Sequence, residues 1–312
     1  MRSKRLAGID LIRIAALLAI VVGHAYPDNE LVDRLLQSWR LPIFFVLTGY
    51  FWSAPRTINQ ELLKRGNSLL VPYAIWGVLL TLAAWLLFND DPFTTAQRFL
   101  LAGAYAVQPF NSFWFFTALF AAVIATRFLD LFGSAMTWPI AALGLLANIF
   151  AGPQLASVPW SIATASGALI FIQSGRLLAA LSGSFSRKNI LLASLATVLG
   201  CLILVALIPG DFEPLKMKVG IFPPFATLVS LVMCMSLVSL GTTIDLADQY
   251  SRLVSKLSLP SFVVIVLHPL FIILLSGKMP YFLVPILAFI GALTLGVLIA
   301  QTRARKILTG VD

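Results

Sequence analysis

The chain has 312 residues, 59% of them hydrophobic and only 11% charged, where a soluble domain carries about 25% charged residues. A mean hydropathy of +0.94 excludes an ordinary soluble globular protein, and no polar stretch is long enough to form a separate soluble domain, so residues 1–312 read as one transmembrane domain. The net charge of +9 comes without a basic patch interleaved with aromatics, which argues against a nucleic-acid partner.

The basic start MRSKR precedes an apolar run with no small-residue cleavage site, so an uncleaved first span is expected. Windows of about 19 apolar residues mark membrane spans. They fall at residues 8–26, 41–54, 67–88, 112–131, 135–151, 160–180, 189–209, 222–240, 258–276 and 281–302. The fold class is therefore an all-α polytopic membrane protein with about ten transmembrane helices. With the N-terminus in the cytoplasm and the spans alternating, 15 Lys or Arg lie inside and 6 outside, with Arg13 within the first span. That bias satisfies the positive-inside rule and puts both termini in the cytoplasm. The expected location is the inner or plasma membrane, with the lipid bilayer as the first partner.

The first span, residues 9–26 (IDLIRIAALLAIVVGHAY), carries Arg13 and His24. His24 lies eleven positions after Arg13, which on a helix puts both on one face, about three turns and ~16 Å apart. Ionisable groups inside a span are costly and mark functional sites by default. Arg13 fits two roles: a guanidinium snorkelling to the inner interface, or one that fixes an anionic or carbonyl group of a substrate. Asp10, three residues earlier, is placed to pair with it. His24 is either an imidazole at headgroup level or a general base, since its pKa lies near neutrality.

Leu31, Val32, Leu35, Leu36 and Trp39 recur at helical spacing and predict a short amphipathic surface helix. The second span is short and contains Pro42, and residues 92–110 form a long, moderately apolar connection with the character of a re-entrant or interfacial segment. Arg127 and Arg176 read as inner anchors, and Gly175 as a packing or helix-end glycine. Cys201 and Cys234 give neither a disulfide framework nor a metal spacing, so no metal is expected. His268, before Pro269, is a structural histidine bonded to a carbonyl or a cavity-lining group beside a kink. No Asp or Glu lies deep in any predicted span, which weighs against an ion-coupled transporter.

Taken together, Asp10, Arg13 and His24 resemble the opening of the acyltransferase-3 family, whose signature is an arginine, ten residues, then a histidine. LPIFFVLTGYF at 41–51 resembles the family's second-span Phe-Phe-x-x-Ser-Gly run, with Thr48 for the serine. Arg65 with Leu69, Pro72, Tyr73 and Trp76 resembles the start of its third span; Asn111, Trp114 and Phe115 its Trp-Phe element; Ser261 and VLHP, ending at His268 and Pro269, its late stretch. The departures are Ser68, where the family often carries a second basic residue, and Val264 or Ile265 in place of a tyrosine.

The resemblance implies a membrane O-acyltransferase. It takes an acyl group, acetyl in the simplest case, from cytoplasmic acyl-CoA to a hydroxyl of a cell-envelope glycan or small acceptor. Acyl-CoA is a donor substrate, and no cofactor is permanently bound. His24 is the implied base, or the carrier of an acyl-histidine intermediate, with Arg13 and Asp10 in the catalytic group and Arg65 and Arg13 on the donor. Trp114, Asn111, Thr48 and His268 are implied substrate contacts. Two other readings suit the spans: a secondary transporter or exporter, and a non-catalytic partner of a glycan-assembly complex.

Overall fold

The computed structural model describes residues 6–52, 56–208 and 213–311; the basic start at 1–5 lies outside them. The described residues form helices and no strand. In chain order these are α1 (Ala7–Ala25), α2 (Glu30–Gln37), α3 (Pro42–Tyr50), α4 (Ile58–Arg65), α5 (Val71–Phe88), α6 (Pro92–Leu101), α7 (Trp114–Leu129) and α8 (Ser134–Ala156). They are followed by α9 (Ala165–Ala180), α10 (Arg187–Leu207), α11 (Pro224–Thr243), α12 (Asp248–Ser258), α13 (Ser261–Leu275), α14 (Leu283–Ile299) and α15 (Arg305–Thr309).

Local chemistry sets several of these boundaries. Asn29 caps α2 by accepting from the Val32 amide at 3.0 Å, and α2 is the surface helix that the Leu31-to-Trp39 spacing predicts. Thr57 and Gln60 form a reciprocal capping box that starts α4. A π-helical turn, Gly66–Leu70, then carries α4 into α5, so Ile58–Phe88 is one run of 31 residues. The helical run that holds the predicted third span thus begins nine residues before residue 67. The connection at 92–110 holds α6 and a 3-10 turn, Gly103–Tyr105.

Seven helical runs among the described residues are long and apolar enough to cross a membrane, or eight if α12 and α13, bent by 58°, form one broken span. Each of the ten predicted segments contains a helix, but α14 has 17 residues and α3 only nine. At 1.5 Å per residue α3 is about 14 Å long, roughly half a hydrocarbon core.

Contacts group the chain into two units. The first comprises residues 1–53, 171–215 and 222–261. In it α1 packs on α11 at a glycine pair: a Cβ on Gly8 would meet the Gly241 carbonyl oxygen at 2.1 Å. Helix α3 packs as closely on α9, where a Cβ on Gly49 would fall 1.9 Å from the Ile172 oxygen, and one on Gly175 2.0 Å from the Val46 oxygen. Gly175 is therefore a packing glycine. Small residues let backbones approach where lipid supplies no hydrophobic drive between helices. Helix α10 is only 17% buried and turns most of its surface outward.

The second unit comprises residues 54–170, 216–221 and 262–312. Its core is aromatic: Phe113 lies edge-on to Phe110 at 5.2 Å and to Phe116 at 6.4 Å, and Phe116 stacks on Phe262 at 4.0 Å. Ser112 Oγ donates to the Ile265 carbonyl at 2.7 Å, tying the loop before α7 to α13. Trp76 Nε1 donates to the Leu308 carbonyl at 2.8 Å, tying α5 to α15.

Candidate active site

Helix α1 carries the first group of predicted residues, and its packing on α11 and α12 holds them. Asp10, 2% exposed, sits in the first turn. Arg13 Nη1 reaches its Oδ1 at 3.2 Å, and Ser255 Oγ of α12 donates to its Oδ2 at 2.9 Å. The Arg13 guanidinium lies 5.4 Å from the centre of the Phe51 ring, a cation–π distance. Arg13 is thus held by a carboxylate and a ring, with about a third of its side chain accessible. The paired charge suits a group that binds and orients an oxygen-rich partner without carrying a naked positive charge. A cavity of about 650 Å³ opens beside Ser255, lined by Ala7, Asp245, Asp248, Arg252 and Lys256; its two cations and two carboxylates balance.

His24 lies half-buried in the last turn of α1, three turns on from Arg13. The residue before it, Gly23, meets the guanidinium of Arg40, which is 4% exposed. Burial lowers the Arg40 pKa to about 10, and the Asp33 carboxylate opposes the shift.

Arg65 belongs to a different arrangement. Glu61, one turn earlier on α4, is fully buried and accepts from three arginines. Arg65 Nε lies at 2.8 Å from Oε1, Arg127 Nη2 at 3.1 Å from Oε2, and Arg56 Nη1 at 3.4 Å from Oε2. Arg127 also reaches Asp130 Oδ2 at 3.2 Å. Three guanidinium groups thus face two carboxylates, leaving an excess of positive charge. The π-helical turn that follows Arg65 is a feature that recurs at functional sites. Glu61 lies in the first turn of α4, at the start of the Ile58–Phe88 run and ahead of its apolar stretch, so the expectation that no Asp or Glu lies deep in a span is not overturned by it. Its charge is met by arginines, not left open for an ion. Arg127, expected as an inner anchor, is 4% exposed and committed to Glu61. Arg176, the other expected anchor, places its guanidinium 5.5 Å from the Trp52 ring centre.

The remaining predicted contacts are more local. Thr48 Oγ1 donates to the Phe44 carbonyl of its own helix at 2.8 Å, so its proton is committed. His268 is fully buried, with Nδ1 3.0 Å from the Val264 carbonyl. Trp114 is buried at the start of α7, edge-on to Phe115. Asn111, three residues before it, has a buried Oδ1 with no hydrogen-bond partner among the described residues. Arg13, Asp10, His24 and Thr48 fall in the first unit; Arg65, Asn111, Trp114 and His268 fall in the second. Among the described residues no group of three or more His, Cys, Asp or Glu is placed to hold a metal ion.

The buried ion pairs also involve Glu61, Arg56, Arg127 and Arg40, which the sequence does not single out for chemistry. The one sequence signal for the first three is a carboxylate flanked by basic residues at helical spacing, Glu61 and Arg65.

No curated protein matches the chain, and no solved structure does. The family model described as an acyltransferase domain, that of the acyltransferase-3 family, matches residues 6–302 and so spans both units. The chain belongs to the acyltransferase-3 family and is a multi-pass membrane acyltransferase.

Proposed function

We propose that this enzyme moves an acyl group, acetyl in the simplest case, from cytoplasmic acyl-CoA to a hydroxyl of a cell-envelope glycan or related small acceptor. The observation that carries this reading is the make-up of α1, with the ion-paired Arg13 at one end and the half-buried His24 three turns on. Neutral His24 takes the proton of the acceptor hydroxyl, whose oxygen attacks the thioester carbonyl. Arg13 orients the donor, and Asp10 fixes Arg13. The arginines around Glu61, Arg65 among them, carry the excess charge that suits the phosphates of an acyl-CoA. They stand in for the second basic residue that Ser68 replaces. Trp114, Asn111 and His268 are assigned to substrate contact in the second unit.

The proposed setting is the inner or plasma membrane, with about ten membrane segments and both termini in the cytoplasm, α14 making a short crossing and α3 filling only about half the core's thickness. The bias of 15 basic residues inside against 6 outside supports that orientation. Acyl-CoA is a substrate here, and no cofactor is permanently bound.

The test is transfer of label from acetyl-CoA by purified protein in lipid nanodiscs. His24→Ala is expected to abolish transfer and slow hydrolysis alike. Transfer retained by a folded His24→Ala protein would overturn the role of His24. Mass spectrometry of envelope glycans from cells with and without the gene is expected to show the loss of one acyl mass.

A further inference from the structure

Arg40 lies in the turn between α2 and α3, where sequence position makes it an ordinary outer-loop charge. The structure buries it instead, to 4% exposure. Nη2 donates to Gln37 Oε1 and lies 3.7 Å from Asp33 Oδ1. Nε and Nη1 are buried and meet no hydrogen-bond acceptor among the described residues. A buried donor without an acceptor loses its hydration and gains nothing, so such an arrangement persists where an acceptor completes it. The guanidinium lies against the backbone of α1: a Cβ on Gly23 would fall 1.2 Å from Nη1 and 2.5 Å from Cζ. A side chain at 23 would displace the guanidinium from this position, and Gly23 is joined by one peptide bond to His24.

We infer that Arg40 is a catalytic residue of the acyl transfer, whose Nη1 and Nε hydrogens hold the acyl oxygen that becomes negative when the acceptor attacks beside His24. This inference rests on the proposed role of His24. The acceptor oxygen gives its proton to His24 and forms a bond to the thioester carbonyl carbon; the carbonyl π pair moves onto oxygen, against the guanidinium. Collapse re-forms the carbonyl and breaks the carbon–sulfur bond. The thiolate leaves and takes the proton from His24, so ester and free thiol are the products. The fixed charge is already desolvated and in place, which is how preorganised donors stabilise developing negative charge. Burial keeps the guanidinium pKa near 10, still well above neutrality, so the group is charged during turnover.

The experiment measures turnover per folded molecule in nanodiscs with acetyl-CoA and a hydroxyl acceptor, or water as the acceptor. Arg40→Gln is expected to lower kcat by about 10²- to 10³-fold, with KM for acetyl-CoA little changed. Arg40→Lys keeps the charge without the planar donors and is expected to recover part of the loss. Gly23→Ala displaces the guanidinium while leaving it present. It is expected to lower kcat as well, and to add little in an Arg40→Gln background, since both act on one contact. A merely structural arginine would give less folded protein with wild-type kcat in what remains. Arg40→Gln turning over at the wild-type rate, or losing only donor affinity, would overturn the assignment. If Arg40→Gln does not fold, wild-type kcat in both Arg40→Lys and Gly23→Ala overturns it equally. Failure of the underlying reading looks different: wild-type protein inert toward acetyl-CoA, or an active His24→Ala protein, sinks the proposed function whatever Arg40 does.

Discussion

Replacing Glu61 with glutamine tests whether one carboxylate holds the start of the third span. In the native protein its two oxygens accept from Arg65, Arg127 and Arg56, and the side chain is fully buried. The substitution leaves Arg127, with a side chain 5% exposed, facing an amide in place of a charge. Breaking a buried pair from one side costs about 3–5 kcal/mol, because the remaining charge stays desolvated. Arg127 keeps Asp130 at 3.2 Å, which places the loss at the lower end, about 3 kcal/mol. The Arg65 and Arg56 pairs are partly exposed and add under about 1 kcal/mol each. For a chain of this size a loss of about 3 kcal/mol lowers the unfolding midpoint by roughly 6 °C. Thermal unfolding in nanodiscs, followed by tryptophan fluorescence, measures it, with Arg56→Ala as the control expected to shift by less than about 2 °C. A Glu61→Gln midpoint indistinguishable from wild type, or one matched by Arg56→Ala, would refute the argument that burial of Arg127 sets the magnitude. The substitution also makes the cluster more positive, so if it grips donor phosphates, KM for acetyl-CoA falls even as stability drops.

Two further perturbations separate packing from chemistry. Lys218, in the connection between α10 and α11, donates to the Ala106 carbonyl at 2.6 Å, and burial lowers its pKa to about 8. Between about pH 8 and the ordinary lysine value of 10.5 the unfolded chain binds more protons at this site than the folded one; stability from this group therefore rises with pH across that window. Lys218→Met is expected to remove that rise, read as the difference between wild-type and variant midpoints from pH 7 to 10.5. A difference that stays flat with pH refutes it. Thr48→Val is expected to leave kcat and KM within about twofold and stability within about 1 kcal/mol, since its hydroxyl donates to the Phe44 carbonyl of its own helix. A large fall in kcat would show that the hydroxyl turns toward substrate during turnover.

What could be read from the sequence is what repeats locally. The 3.6-residue spacing of Leu31 to Trp39 gives α2, and the eleven-position step from Arg13 to His24 puts both on one side of α1. The apolar windows find a helix in every predicted segment. The helix ahead of the third span is not legible in the apolar windows because Glu61, Lys64 and Arg65 read as an aqueous stretch, whereas the Thr57 capping box begins a helix there and arginines meet the buried carboxylate. Arg127 was read as an anchor because nothing near it in sequence betrays a partner 66 residues earlier. The burial of Arg40 is equally illegible, since its guanidinium lies against α1 at Gly23, 17 residues earlier.

These reassignments bear on orientation as well as on the site. An arginine committed to a buried carboxylate, or held against a helix backbone, is a poor witness to which side of the membrane its loop occupies, because its position is set by packing. Taking Arg56, Arg65 and Arg127 from the fifteen basic residues inside, and Arg40 from the six outside, leaves twelve against five. The bias falls only slightly and keeps its direction, carried by Lys and Arg in the remaining loops. The proposed orientation therefore does not depend on the arginines assigned to chemistry, and substitutions at Arg40, Arg65 or Arg127 report on the site without putting the topology at risk.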